Sequence, residues 1–272
     1  MADVTREVLL EDRGFLEGPR WHGGELWLSD LHRHEVLVLG ADGTCRVMAT
    51  LDDQPSGLGF LPDGSAIVVS LLDRVVRRVD DLTVHSDLTA LTVGGTNDMI
   101  VDDQGRAYVG SFGYDVFGGE ARQPANLVLV EPDGSARVVA DDMGFPNGMA
   151  FTSKGTLLVA ESSARRITEF DVADDGSLSG RRVWCELPGR PDGLTIDAED
   201  VVWVGLAHDG RYVHVHEGGA IDAEHAARAG WHAVACQLGG PDGRTLFLLM
   251  ADVRDRPAVA ALEAVTVDVP AP

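Results

Sequence analysis

Basic residues are scarce in this sequence. Lysine and arginine number 22 against 44 aspartates and glutamates, giving a formal net charge of −22 over 272 residues. A field of that sign repels phosphate backbones and anionic lipid surfaces, which argues against nucleic acid and membrane as partners. Cysteine is scarcer still: Cys45, Cys185 and Cys236 lie far apart and form no CxxC pair. Neither a disulfide framework nor a thiolate zinc site is expected, and a reducing, cytoplasmic setting fits best. No apolar run approaches the ~18 residues of a membrane helix. The opening MADVTREVLLEDRG places charges where a signal peptide needs an uninterrupted apolar stretch. Nor does any segment sustain an i, i+3, i+4, i+7 apolar stripe. AEHAARAG from Ala223 is the one weakly helical run and reads as a turn or short strand-linking segment.

What the chain does have is a repeat. EGPRW from Glu17, SGLGF from Ser56, NDMIV from Asn97, NGMAF from Asn147, DGLTI from Asp192 and VACQL from Val234 align as six copies of one unit. Each begins a short apolar strand, followed in most copies by a turn such as PDG at Pro62 or SKG at Ser153, then a second strand such as AIVVS or TLLVAES. Val, Leu, Ile and aromatic residues bounded by Gly, Asp and Pro are the pattern of β-hairpins. A third strand alternates, as in HEVLVL and RYVHVH. The anchors are spaced by 39, 41, 50, 45 and 42 residues, matching the ~40–50 residues of a four-stranded propeller blade.

The fold predicted is therefore an all-β, six-bladed β-propeller with four-stranded blades, spanning residues 1–272 as a single domain. The N-terminal strand REVLLED and the last strand ALEAVTVDV would together complete the sixth blade. The longest irregular insert, Gly113 to Ala125, reads as a surface loop, the kind of segment that covers binding sites.

In a propeller the first strand of each blade lines the central channel, so Glu17, Ser56, Asn97, Asn147, Asp192 and Val234 would form a ring. Oxygen-bearing side chains gathered in a channel are costly to bury unless something binds them, and a divalent cation is the natural occupant. Asn147 and Asp192 each precede glycine, so each has a competing reading as a turn former. Asn97 has the same alternative, and Asp98 reads as structural. His32 and His34 read as residues of an alternating strand, and no histidine pair shows HxxxH helical spacing. His208 and His232 stand near strand ends that could reach the channel mouth.

EGPRW, NDMIVD, FPNGMAF and PDGLTID, in that order and at those spacings, resemble the SMP-30/gluconolactonase/LRE-like family of six-bladed propellers. The resemblance covers nearly the whole chain. It implies one divalent metal ion held by Glu17, Asn147 and Asp192, with Ca²⁺ expected first and Mg²⁺, Mn²⁺, Zn²⁺ or Fe²⁺ as alternatives. It also implies a metal-dependent hydrolase acting on a lactone, with Asn97 contacting substrate or water. The donor chemistry agrees, since carboxylate and amide oxygens suit hard cations. Asp192 could act as general base or attacking carboxylate, with water activated by the ion as the rival.

One departure bears on substrate. Some sugar-lactone hydrolases of the family carry arginine two residues before the motif asparagine, where this chain has Gly95, and Met99 replaces a motif glycine. Phe112, Tyr114 and Phe117 would make a more apolar lid, and His208 a further substrate contact, so a less hydroxylated lactone is expected alongside a sugar lactone. A phosphotriesterase or esterase on the same propeller, and a non-catalytic ligand-binding propeller, are the alternatives. The partner expected is a small-molecule substrate, with homo-oligomerisation left open.

Overall fold

The structure, a computed structural model, describes residues 6–255 and 257–272. Residues 1–5 and 256, which the expected domain of 1–272 includes, lie outside the described residues. The chain forms six four-stranded antiparallel sheets arranged as a six-bladed β-propeller. Among the described residues the one helical element is a 3-10 turn at Ala207–Asp209. Among the described residues no helix is long and apolar enough to cross a membrane.

The innermost strands are Leu16–His22, Pro55–Phe60, Thr96–Val101, Pro146–Phe151, Pro191–Ile196 and His232–Gly239. All six anchor segments fall on them. The ring closes as expected: Glu7–Arg13 pairs with Val259–Thr266, so the two ends of the chain share blade 6. Apolar side chains from facing sheets fill the space between blades. Between blades 4 and 5, Leu158, Ile167, Leu194, Ile196, Val204 and Val213 pack together, all but two of them below 1% exposure.

The excess of acid has a structural use in the turns. In the PDG-type turns the first aspartate accepts the N–H two residues on: Asp63 from Ser65 at 2.9 Å, Asp133 from Ser135 at 2.9 Å and Asp242 from Arg244 at 3.1 Å. This local bond holds the tight turn that each hairpin needs.

Two expectations are corrected. While Ala227 to Gly230 form the expected turn, the first half of the stretch from Ala223 belongs to a strand, Ile221–Ala226, the outer strand of blade 5. Its pairing with Arg211–Val215, as in Tyr212↔His225 and Val213↔Glu224, outweighs the weak helical preference of so short a run. His32 and His34 lie in a turn rather than on a strand, with His34 at φ +58°. The strand Glu25–Asp30 ends there because the buried Asp30 carboxylate captures the backbone N–H groups of Gly14, Phe15 and Arg33.

At the axis the blades touch through backbone. Every innermost strand breaks register with its neighbour at the anchor: between Glu17 and Arg20, Pro55 and Leu58, Thr96 and Met99, Pro146 and Met149, Pro191 and Leu194, and Ala233 and Ala235. Such irregularities release the anchor side chain from the ladder and re-aim it. Glycine after the anchor allows the close approach. A Cβ on Gly57 would lie 2.3 Å from the Met99 nitrogen, and one on Gly148 would lie 2.4 Å from the Leu194 nitrogen.

Gly57→Ala is expected to destabilise the protein by about 1–3 kcal/mol, because backbone of the next blade must give way. Chemical denaturation should show this against Val8→Ala, on an exposed outer position, which should change stability by less than about 0.5 kcal/mol. Equal stability of Gly57→Ala and the parent would overturn the packing account.

Candidate metal centre

The register breaks bring four anchor side chains to one cavity. Glu17, Asn97, Asn147 and Asp192 line a space of about 650 Å³ at the channel mouth. Asn147 and Asp192 lie within strands, so the turn reading of their Asn-Gly and Asp-Gly pairs does not hold. Below them a void of about 10 Å³ is lined by Glu17, Asp98, Asn147, Asp192 and Val234. Ser56 completes its part of the ring by donating its hydroxyl to Glu17 Oε2 at 3.1 Å.

Charge governs this floor. Burial, then the neighbouring Asp98, pushes the Glu17 carboxyl up to about 7, against the pull of its Ser56 hydrogen bond. Asp192 is raised well above its ordinary value by burial first and then by Glu17 and Asp98, while the Asn147 hydrogen bond acts the other way. Asp98 is also raised by burial, but Arg20 opposes this: its Nη2 donates to Asp98 Oδ1 at 2.9 Å, and the Met99 N–H donates to the same oxygen at 2.8 Å. Of the three buried acids, Asp98 is the one that Arg20 pairs with.

The donor set fits a hard cation. The Asn147 amide nitrogen donates to Asp192 Oδ1 and to Ser162 Oγ, and the Asn97 amide nitrogen donates to the Pro146 carbonyl at 3.0 Å. With the nitrogens so used, each asparagine has its carbonyl oxygen available. Two carboxylates and neutral amide oxygens are the ligands that Ca²⁺, Mg²⁺ and Mn²⁺ take. Their elevated proton affinity is what an uncompensated buried charge produces, and a cation in their midst would relieve it.

The expected substrate contacts divide into two groups. Phe112 and Phe117 line the main cavity together with Phe15, Leu31, Leu71 and Phe145. Tyr114 and His208 instead line an adjoining lobe of about 230 Å³, shared with Arg122, Arg190, Asn147 and Asp192. His232 reaches the site only through His208, their rings meeting edge to face at 4.7 Å. Sequence reasoning missed the apolar rim of Phe15, Leu31, Leu71 and Phe145. Phe145, inside the GFPNG motif, stacks on Phe112 at 4.7 Å and 11°, and its position beside an anchor was the available signal.

The chain is similar to known proteins in sequence and in fold. Pentonolactonase XacC of Haloferax volcanii is 27% identical over 86% of this chain and 81% of its own. A 6-deoxy-6-sulfogluconolactonase of Pseudomonas putida is 25% identical over 64% of this chain and 62% of its own. The solved structure of a gluconolactonase from Xanthomonas campestris superposes with a TM-score of 0.76 over 97% of this chain and 90% of that one, at 24% identity, which shows the shared fold. The SMP-30/gluconolactonase/LRE-like family model matches residues 15–252. With the match running across all six anchors, the chain belongs to the SMP-30/gluconolactonase/LRE-like family.

Proposed function

We propose that this protein is a metal-dependent hydrolase that opens a lactone ring, with Glu17, Asn147 and Asp192 holding one divalent ion and Asn97 contacting substrate or water. The observation that carries the reading is the convergence of these four side chains on one cavity floor where Glu17 and Asp192 both hold protons unusually tightly. The names of the Haloferax and Pseudomonas relatives, both lactonases, support the reaction class.

A bound divalent cation would polarise the lactone carbonyl as a Lewis acid. The chain's own residues do the rest. Asp192, oriented by the Asn147 amide, takes the proton of the attacking water as its oxygen adds to the carbonyl carbon. The acyl C–O bond of the ring then breaks and the proton passes to the leaving alkoxide, giving a hydroxy acid. Arg20 pairs with Asp98 beneath the site and opposes the effect of its burial, and the phenylalanine rim excludes water from the bound ring.

The rim also bears on substrate. A Cβ on Gly95 would lie 2.8 Å from the Phe112 ring and 2.9 Å from Leu71 Cδ2, so an apolar wall fills the space a larger side chain would need. This supports a lactone with an apolar face over a fully hydroxylated sugar lactone.

The test is a lactone panel, from gluconolactone to alkyl and aryl lactones, run on metal-stripped protein before and after adding Ca²⁺, Mg²⁺, Mn²⁺, Zn²⁺ or Fe²⁺. Activity should return with metal, and kcat/KM should be higher for the apolar lactones. Preference for gluconolactone would sink the substrate reading, and activity untouched by chelation would sink the metal. Asp192→Asn should lower kcat by about 10²–10⁴-fold even at saturating metal. Asn97→Ala should cost no more than about 10²–10³-fold. Recovery of most of the rate in Asp192→Asn at high metal would leave Asp192 a ligand only.

A pH series on stability checks the ligands without any substrate. Glu17 has its folded value raised from 4.5 to about 7. The stability it contributes is therefore complete below its unfolded value and is lost as pH rises through about 7. Metal-free protein should show a falling Tm from about pH 5 to pH 8. Metal should remove most of that fall, because it pairs with the ionised oxygens and its binding releases their protons. The same fall with and without metal would exclude Glu17 and Asp192 as ligands.

A further inference from the structure

A second set of donors sits on blade 5, away from the channel. His214, in the strand Arg211–Val215, and His216 just after it are two residues apart in extended chain, and so share a face. On the neighbouring strand Ile221–Ala226, His214 pairs with Ala223 and Val215 with Ile221, which leaves Asp222 as an extra, bulged residue. The bulge puts its carboxylate beside both imidazoles. Asp222 Oδ1 is 2.7 Å from His214 Nδ1 and Oδ2 is 2.6 Å from His216 Nε2. The ligating atoms of the three residues lie within 4.8 Å of one another.

His214 carries the stronger argument. Its Nε2 is 2.9 Å from Oδ2 of Asp197, a buried residue whose Oδ1 accepts the backbone N–H groups of Glu199 and Val201, each at 2.9 Å. A carboxylate so engaged only accepts, so Nε2 carries a proton and Nδ1 faces a second carboxylate. Two acceptors 2.7 Å apart need a proton or a cation between them. The ring is also fixed in place, stacked on Trp203 at 4.6 Å. An imidazole that donates one N–H to a buried carboxylate and offers its other nitrogen outward is the arrangement found behind metal-ligating histidines.

We propose that His214, His216 and Asp222 bind one transition-metal ion of the Zn²⁺ class, with Asp197 as the outer carboxylate that orients His214. Zinc bonds of about 2.0–2.2 Å place neighbouring tetrahedral donors about 3.3 Å apart. The present contacts of 2.6 and 2.7 Å and the 4.8 Å span bracket that spacing. Two imidazoles and one carboxylate select Zn²⁺ over Ca²⁺ or Mg²⁺, the reverse of the all-oxygen set in the channel. The two places are also physically apart. Asp192 stands near the mouth end of the innermost strand of blade 5 and Asp197 follows its far end, five residues of extended chain or about 16 Å away. The outer ion would tie together the two outermost strands of the blade and would take no part in the reaction.

The experiment titrates Zn²⁺ against chelator-stripped protein in competition with a chromophoric chelator, using a Glu17→Gln, Asp192→Asn background so that the channel does not contribute. One Zn²⁺ should bind in that background and raise Tm. His216→Ala should weaken it on the order of 100-fold or more, and Asp197→Asn by about 10–100-fold. His216 is partly exposed, so His216→Ala should keep the metal-free Tm and circular dichroism of its background. In an otherwise native chain it should leave the activity of the channel site unchanged. Absence of a Zn²⁺ site in the channel-disabled protein, or equal affinity with and without His216, would overturn the proposal and leave the cluster as an ion-paired bridge between strands.

Discussion

Mutual repulsion among Glu17, Asp98 and Asp192 is the constraint around which the centre of this molecule is arranged. Burial raises the proton affinity of all three, and the charge of Asp98 adds to the effect at the other two. Held together without compensation they would push the ring of blades apart. The fold answers in several ways. Arg20 reaches from blade 1 to Asp98 on blade 3, and Ser56 and Asn147 each donate to one of the remaining acids. Glycines at 57 and 148 let neighbouring backbones close up around the acids. Carboxylate and amide oxygens line the small void at the floor, the donor set that the proposed hard cation would take.

Much of this was legible in the sequence because a propeller writes its symmetry into its spacing. Six anchors at near-constant intervals fixed the number of blades, the innermost strands and the shared last blade, since each unit must bury the same face against the next. The repeat also explained why Asn147 and Asp192 precede glycine: the pair marks a register break where blades touch, a meaning that local turn statistics cannot supply. Where the repeat gave no guidance, local reading misled. His32 and His34 look like strand alternation until the buried Asp30 is seen drawing the chain into a turn. Ala223 to Ala226 looks weakly helical until its partner strand is counted. The apolar rim was missed although it follows the repeat: Phe15 and Phe145 each stand two residues before an anchor, and Leu31 and Leu71 each follow the second strand of a blade.

The mouth is chemically two-sided. The larger cavity is walled by stacked phenylalanines, whereas the smaller lobe presents Arg122, Arg190 and His208. Both open onto Asn147 and Asp192. Burial, and then the positive charge of Arg190, lowers the proton affinity of His208. A ring-opened product differs from its lactone by a new carboxylate. Under the proposed reaction, a mouth with one apolar wall and one cationic pocket would treat the two differently: the wall would suit the uncharged ring, and the arginines the acid that replaces it.

Blade 5 links the centre to the periphery through a single strand. Pro191–Ile196 carries Asp192 near its mouth end, where the Asn147 amide holds it across the blade boundary. At the far end, Asp197 closes the return turn through Glu199 and Val201 and meets His214 on the third strand. The strand is thus pinned at both ends by charge-assisted hydrogen bonds, in addition to its ladder with Val202–Leu206. Glycine at 193 removes the side chain that would otherwise collide with Ala235 on blade 6 at 2.4 Å. A carboxylate that must both tolerate like-charged neighbours and keep one orientation needs a backbone that does not yield. The pinning at the two ends, and the close contact between blades in the middle, provide that stiffness where a loop could not.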